Sequence, residues 1–237
     1  MNMPMRNVLP GIELQLDALI FDFDGEIVES TNVKTDAFRA LFNHHAAHVD
    51  EIVALHERFG GLSRYAKFEL IYRDILHMPL ANEQRQELGR RFAELVIDKV
   101  TRCPMVAGAQ QLLEELSGRV PMVVVSGTPD IELKNIIARR GLDRYFADVH
   151  GSPPDKTRIL SLLFEEHGWR PTRTLMVGDA LTDFEAARSN SINFVGRVAN
   201  GRVSPFPWNT QRVADLTELP SMLATCSAGM FLNPEAR

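Results

Sequence analysis

Short apolar runs alternate along this chain with segments whose apolar residues recur at helical spacing. The first run, residues 18–21, is uninterrupted, as expected of a strand that is covered on both faces of a parallel sheet. Further runs occur within residues 121–127, 145–151, 173–179 and 192–196, and a helical pattern separates each from the next. This alternation predicts an α/β fold with a doubly wound parallel sheet built from right-handed βαβ units.

Residues 32–100 follow a different pattern, with helical periodicity and no run that resembles a buried strand. Helices are predicted over residues 32–42, 51–59, 63–76 and 81–100, and Ser63 is placed to cap the third of them. A wholly helical stretch between two α/β segments indicates an inserted domain. We therefore expect residues 31–100 to form a helical domain, and residues 1–30 and 101–237 to form the α/β core.

The two ends of the chain carry weaker patterns. Proline and glycine interrupt the periodicity of residues 1–16, which we expect to be a loosely held lead-in. Past Gly196, residues 201–209 are predicted to be a loop and residues 217–225 a helix, and residues 226–237 are expected to fray.

Composition narrows the class of protein. The chain has 237 residues, of which 45% are hydrophobic and 24% charged, so it can bury a sizeable core as one large domain or a domain with an insert. The net charge of −5 and the lack of a long Lys/Arg run argue against nucleic acid as a partner. Cys103 and Cys226 lie far apart without a metal-binding spacing, which predicts free thiols.

The sequence shows no pattern of a targeting signal. Residues 1–17 lack the continuous apolar stretch of a signal peptide, and no run is long enough to span a membrane. We therefore expect a cytoplasmic protein with no membrane partner.

Two carboxylates follow the first predicted strand. Asp22 and Asp24 lie on the same side of an extended chain, at the carboxyl end where open α/β sheets bind ligands. Two such acids repel each other unless a cation neutralises them, and oxygen ligands of this kind suit Mg²⁺. A strand that leads into an Asp-Gly turn remains the alternative explanation.

Polar residues also follow later strands. They are Ser126, Gly127 and Thr128 after the second strand, Lys156 at a helix start, and Asp179 and Asp183 around the fourth strand end. Each also has a purely structural explanation. Ser126 or Thr128 could cap the next helix, Lys156 could be solvated, and Asp179 and Asp183 could form a turn with a carboxylate at a helix start. A lysine at a helix start opposes the helix dipole, however, which is explained if it reaches a phosphate or an aspartate. Taken together, the strand ends predict one polar site.

These residues carry a family resemblance. The segments DFDG at 22–25, SGT at 126–128, Lys156 and GDALTD at 178–183 occur in the order of the four motifs of the haloacid dehalogenase superfamily. The chain resembles the phosphatase branch of that superfamily over nearly all of residues 17–200. The inserted helices look like the helical cap of phosphoglycolate-phosphatase and β-phosphoglucomutase relatives, so the resemblance implies a Rossmann-like core with a cap domain.

The resemblance also implies roles for individual residues. Asp22 would be the nucleophile that forms an aspartyl-phosphate. Asp24 would act as acid and then as base, and needs a raised pKa for the first step, which a neighbouring anionic substrate would supply. The phosphoryl group would be held by Ser126, the Gly127 N–H and Lys156. Mg²⁺ would be bound by Asp22, the main-chain carbonyl of Asp24 and Asp179, with Asp183 as a ligand or a supporting residue.

Two positions depart from the family pattern. Relatives often have Asp before the serine of the segment after Gly25, where this chain has Glu29 before Ser30. Glu26 follows Gly25, where relatives usually have a small or β-branched residue. Such a carboxylate either disfavours anionic substrates or points to solvent.

Leaving-group recognition would come from the inserted helices. Arg64 is the leading candidate, with Lys67 and Lys34 as further candidates, and the alternative is that Arg64 and Lys67 lie on a solvated helix face. The three histidines at 44, 45 and 48 lack the further ligands of a zinc site and are interpreted as surface helix positions.

The leading functional hypothesis is a Mg²⁺-dependent phosphatase that acts on a small soluble phosphate monoester, with sugar phosphates among the candidate substrates. The alternative is a phosphosugar mutase of the β-phosphoglucomutase type, although Lys34 stands where those relatives tend to carry a histidine. A receiver-like signalling module is less favoured because it lacks an inserted helical segment, and a dehalogenase because Asp24 is retained. We expect a monomer or a homodimer.

Overall fold

The computed structural model describes residues 16–226 of the chain, with side chains as far as residue 224. Of the predicted lead-in, only residue 16 belongs to this part. Of the tail that was expected to fray, only the backbone of residue 226 belongs to it, so the Cys226 thiol lies outside the described residues. No helix between residues 16 and 226 is both long enough and apolar enough to cross a membrane.

A parallel sheet forms the centre of the fold, as the alternation of strand and helix patterns predicted. Its strands are β1 (Ala18–Phe21), β2 (Met122–Pro129), β3 (Asp148–Ser152), β4 (Thr174–Gly178), β5 (Asn193–Arg197) and β6 (Arg212–Val213). Within the described residues the strand order is β3-β2-β1-β4-β5-β6 and the pairings are parallel. The direction of winding reverses between β1 and β4, and such a reversal is where doubly wound sheets bind ligands. The predicted fold class is therefore confirmed.

Strand β1 is apolar throughout because both of its faces are covered. Leu19 and Phe21 belong to one buried cluster, and Ile20, whose side chain alternates to the other face, belongs to a second. All three side chains are fully buried. This explains why the run has no polar position before Asp22.

Within residues 16–226, five α-helices flank the sheet: α5 (Ala109–Leu116), α6 (Asp130–Arg139), α7 (Lys156–His167), α8 (Leu181–Ser189) and α9 (Leu219–Cys226). Their numbers follow those of helices α1–α4, which are described below. One prediction in this part was wrong. The start of α6 is not capped by Ser126 or Thr128: its N-cap is Pro129, and the Ser126 hydroxyl accepts from the Thr128 N–H at 3.2 Å. The short strand β6 lies between the predicted loop and the predicted last helix, where no element was predicted.

The stretch between β1 and β2 is helical, with α1 (Thr31–Leu41), α2 (Val49–Arg58), α3 (Arg64–Leu70) and α4 (Asn82–Arg102). Ser63 caps α3 by accepting from the Ala66 N–H, as predicted. The third helix differs from the prediction after Leu70, where residues Ile71–Ile75 form a π-helical turn. We call α1–α4 the inserted helices; their division from the core at residues 31 and 100 stays a prediction.

Aromatic side chains fill the space between the inserted helices. Phe38 of α1 lies 4.8 Å from Phe92 of α4 and 5.9 Å from Phe68 of α3, measured between ring centroids, and all three are buried. The histidines at 44, 45 and 48 lie in the turn before α2, so their prediction as helix positions was wrong, although they are exposed or partly exposed.

Candidate active site

A lysine and two aspartates meet at the carboxyl ends of the core strands. Lys156, the first residue of α7, places its Nζ 2.9 Å from Asp22 Oδ2 and 2.5 Å from Asp183 Oδ1. All three side chains are buried. The lysine that opposes its helix dipole thus reaches aspartates, one of the two explanations that its position suggested.

A cluster of three carboxylates lies at the same point. Asp22, Asp179 and Asp183 each offer one oxygen, and these oxygens all lie within 4.8 Å of one another. Glycines permit this close approach. A Cβ at Gly25, where φ is +80°, would lie 2.1 Å from Asp179 Oδ2, and a Cβ at Gly178 would lie 2.6 Å from that of Asp183.

The carboxylates of this cluster are poorly neutralised. Burial raises the pKa of Asp179 well above its usual value, and the charges of Asp22 and Asp183 add to the effect. Burial also raises the pKa of Asp183 to about 6, against the opposing effect of Lys156. The pKa of Lys156 is raised because the two carboxylates outweigh its burial. Two buried carboxylates, Asp22 and Asp183, together with the half-buried Asp179 beside one lysine, are a donor set that fits a hard divalent cation such as Mg²⁺.

The carboxylate of Asp24 makes a different set of contacts. It lies 2.5 Å from Lys34 Nζ of α1 and accepts hydrogen bonds from the hydroxyls of Ser30 at 2.7 Å and Thr128 at 2.8 Å. Burial raises the pKa of Asp24, but Lys34 and these hydrogen bonds outweigh it, so the pKa is lowered overall. The raised pKa that an acid role needs is therefore not present in this arrangement.

The predicted phosphate-binding residues line two cavities. One, of about 500 Å³, lies between the sheet and the inserted helices and is lined by Asp22, Asp24 and the cluster carboxylate Asp179. The other, of about 630 Å³, is lined by Lys156. Ser126 and Gly127 line both cavities. A Cβ at Gly127 would lie 2.2 Å from the carbonyl oxygen of Gly61, so this position brings the core and the loop before α3 into contact.

The three basic residues predicted to recognise the leaving group, Lys34, Arg64 and Lys67, lie on the wall of the first cavity, and the exposed Arg58 of α2 also lines it. The alternative that Arg64 and Lys67 occupy a solvated helix face is wrong, because they are only 6% and 4% exposed. Arg64 forms an ion pair with Glu132 of α6 and lies over the ring of Phe92. Its guanidinium already has an acidic partner in the core.

The sequence did not indicate the surroundings of two further groups. His56 of α2 lines the same cavity and contacts Lys67. Its position in a helical pattern did not distinguish it from a surface histidine. Glu26 stood out as a departure from the family, but it does not point to solvent, since it is fully buried. Neither of its oxygens has a hydrogen-bond partner within the described part of the chain.

Known proteins share sequence similarity with most of this chain. The sequence pattern of the haloacid dehalogenase-like hydrolases matches residues 16–190. The chain is 27% identical over 176 residues to phosphoglycolate phosphatase of Synechococcus elongatus, covering 73% of this chain and 79% of that protein. It is 26% identical over 186 residues to the fructose-1-phosphate phosphatase YqaB of Escherichia coli, covering 75% and 94%.

A solved structure shows the same fold. The magnesium-bound haloacid dehalogenase-type hydrolase YfnB of Bacillus subtilis matches with a TM-score of 0.63 and 18% identity, over 88% of this chain and 98% of that one. The resemblance that the four motifs suggested is confirmed by these matches.

Proposed function

Because the chain belongs to the haloacid dehalogenase-like hydrolase family, we propose that this hydrolase is a Mg²⁺-dependent phosphatase that acts on a small soluble phosphate monoester. The observation that carries the proposal is the contact of Lys156 with both Asp22 and Asp183 beside Asp179, at the winding reversal of the sheet. Phosphatases of small phosphate esters among the relatives support this substrate class.

The first chemical step falls to Asp22. Its carboxylate oxygen attacks phosphorus, the bond from phosphorus to the ester oxygen breaks, and an aspartyl-phosphate forms. A carboxylate and a phosphate dianion repel each other, and the charge of Lys156, 2.9 Å from Asp22, reduces that repulsion. Mg²⁺ held by Asp22, Asp179 and Asp183 would supply further charge neutralisation.

Proton transfer falls to Asp24, which lines the cavity together with Asp22. In the first step a protonated Asp24 gives its proton to the departing ester oxygen. In the second it takes a proton from the water that attacks phosphorus, releasing inorganic phosphate and restoring Asp22. Since Lys34 keeps the pKa of Asp24 low, an anionic phosphoryl group beside Asp24 is needed to raise it before the first step.

The inserted helices act in this proposal as a cap domain that covers the phosphoryl site. Contacts that join them to the core include the Lys34–Asp24 and Arg64–Glu132 pairs and the hydrogen bond from the Thr182 hydroxyl to the Gly60 carbonyl. A covered site excludes water that would otherwise compete during the first step.

The test is phosphate release from p-nitrophenyl phosphate with Mg²⁺ and with EDTA. Asp22→Asn should lower turnover by about 10⁴-fold or more because it removes the nucleophile. Asp50→Asn is the matched control, since its side chain is 93% exposed, and it should leave turnover unchanged. Normal turnover in Asp22→Asn, or in EDTA, would refute the proposal.

Two other outcomes would identify the alternatives. Isomerisation of β-glucose 1-phosphate without phosphate release would show a mutase, and a long-lived phosphoprotein without turnover would show a signalling module.

A further inference from the structure

The three basic residues predicted to recognise the leaving group, Lys34, Arg64 and Lys67, differ in their partners on the cavity wall. Lys34 pairs with Asp24, and Arg64 pairs with Glu132. Lys67 makes no ion pair with a carboxylate among the described residues, although it is only 4% exposed. A buried ammonium without a counter-anion is costly, so its position needs an explanation.

Lys67 is held in place by neutral groups. Its Nζ lies 3.0 Å from Nδ1 of His56 and donates to the His56 carbonyl oxygen at 3.2 Å. Burial, together with the charges of Lys67 and Lys34, lowers the pKa of His56 to about 2, so this imidazole is neutral and accepts from Lys67. An ammonium has three donors, and the third has no partner within residues 16–224.

The surroundings of this pair are aromatic. The His56 ring stacks on Phe38 with centroids 4.3 Å apart, and Lys67 Nζ lies 5.7 Å from the same ring. Burial, and then the charge of Lys34, lowers the pKa of Lys67 to about 7. Lys67 and Lys34 carry like charges that face the same cavity and repel each other, and an anion placed between them would relieve that repulsion.

Lys67 and the proposed catalytic residues line one cavity, so a single small molecule can contact Lys67 and those residues at the same time. The charges of Asp24 and Asp179 act on Lys67, and all three line the same cavity of about 500 Å³. Resting on the proposed phosphatase function, we propose that Lys67, positioned by His56, binds a second anionic group of the substrate, so the enzyme prefers phosphorylated acids to neutral phosphate esters. The free donor of Lys67 meets the second anion, while the phosphoryl group lies at Asp22.

Substrate pairs that differ only at the second group test the proposal. Phosphoglycolate is compared with 2-hydroxyethyl phosphate, and 6-phosphogluconate with glucitol 6-phosphate, so that a carboxylate replaces a CH₂OH group in each pair. A bisphosphate compared with its monophosphate tests whether a second phosphate serves as well. Wild-type kcat/KM should favour the acid of at least one pair by about 10- to 100-fold, the range expected for a charge-assisted hydrogen bond.

Lys67→Met keeps the side-chain length and removes the charge. It should reduce the preference to about threefold or less by lowering kcat/KM for the acid alone. Lys134→Met, at a lysine with a 54% exposed side chain on α6, is the control and should keep the full preference. His56→Leu should raise KM for the acid more than it lowers kcat, as expected of a positioning residue.

The pH dependence gives a second readout that does not need a variant. Because Lys67 loses its proton as pH rises through about 7 in the free enzyme, the wild-type preference should fall between pH 6.5 and 9.5, and Lys67→Met should show no such fall. The other charged groups that face Lys67 are Lys34, Asp24, Asp179 and Lys156, and Lys67→Met retains all of them.

Equal kcat/KM for both members of every pair, or an equal loss for both in Lys67→Met, would overturn the inference. If no ester is hydrolysed, the phosphatase proposal fails separately. Calorimetric binding of the same pairs to Asp22→Asn, with and without Lys67→Met, then decides the inference: an acid preference that depends on Lys67 supports it, and equal affinities refute it.

Discussion

Replacing Glu26 by methionine should stabilise the folded protein, although most substitutions of buried residues destabilise. Glu26 is 0% exposed, and neither carboxylate oxygen has a hydrogen-bond partner among residues 16–224. Burial, and then the charge of Asp179, raises its pKa well above the usual value, with Arg197 opposing. An unpaired buried polar group costs about 1–3 kcal/mol, so an apolar side chain of similar length should increase the free energy of unfolding by about that amount.

Glu29→Met is the matched control, three residues further along the chain. The Glu29 carboxylate accepts hydrogen bonds from Arg197 at 2.6 and 3.3 Å, and the Arg197 side chain is only 7% exposed. Removing that carboxylate leaves a buried guanidinium short of a partner, so this variant should lose about 1–2 kcal/mol. The two Glu→Met substitutions are thus expected to change the free energy of unfolding in opposite directions.

The assay is urea unfolding followed by circular dichroism at pH 7 in EDTA, which keeps cations from contributing to stability. A loss of about 1 kcal/mol or more in Glu26→Met would refute the reasoning, because it would show that the carboxyl has a favourable partner in solution. A gain in Glu29→Met would equally contradict the role given to the Arg197 pair. Unchanged m-values would show that both variants unfold from the same compact state.

Three further predictions concern other parts of the molecule. Gly127→Ala should lower kcat/KM at least tenfold in the phosphate-release assay, since its Cβ would lie 2.2 Å from the Gly61 carbonyl oxygen, and an unchanged value would show that the inserted helices move freely. Phe92→Ala should cost about 3–5 kcal/mol in urea unfolding, because the ring is 1% exposed within the inserted helices. The hydrogen bond from Arg170 lowers the pKa of Asp17 to about 2. The Asp17–Arg170 pair therefore stabilises the fold above about pH 4, and this contribution is lost as the pH falls to 2. The difference in the free energy of unfolding between wild type and Asp17→Asn should shrink to zero over that range.

The convergence of the site could be predicted from the sequence because it depends on topology. Asp22, Lys156 and Asp183 lie far apart along the chain, but parallel strands place their carboxyl ends at one edge of a sheet, so any residue that follows a strand is brought there. The order of the strand patterns was therefore sufficient. Strand β6 was missed because a strand of two residues is too short to show a period.

The pairing of charges could not be predicted, because it depends on how the inserted helices approach the core. Arg64 and Glu132 are 68 residues apart, and nothing local to either indicates that they meet. The same holds for the contact of Lys34 with Asp24. Periodicity identifies which residues lie on a helix face, whereas the choice between several carboxylates is made by tertiary packing.

The two predicted catalytic aspartates are held by cations from different parts of the molecule. Asp22 is paired with Lys156 of the core, whereas Asp24 is paired with Lys34 of α1. The contact of Asp22, the proposed nucleophile, with Lys156 therefore does not depend on the inserted helices, whereas the contact of Asp24, the proposed proton-transferring residue, with Lys34 does. Because Lys34 is a main reason that the pKa of Asp24 is low, withdrawing α1 from Asp24 would increase its affinity for a proton. The placement of the inserted helices thus controls the protonation of Asp24 as well as access to the cavity.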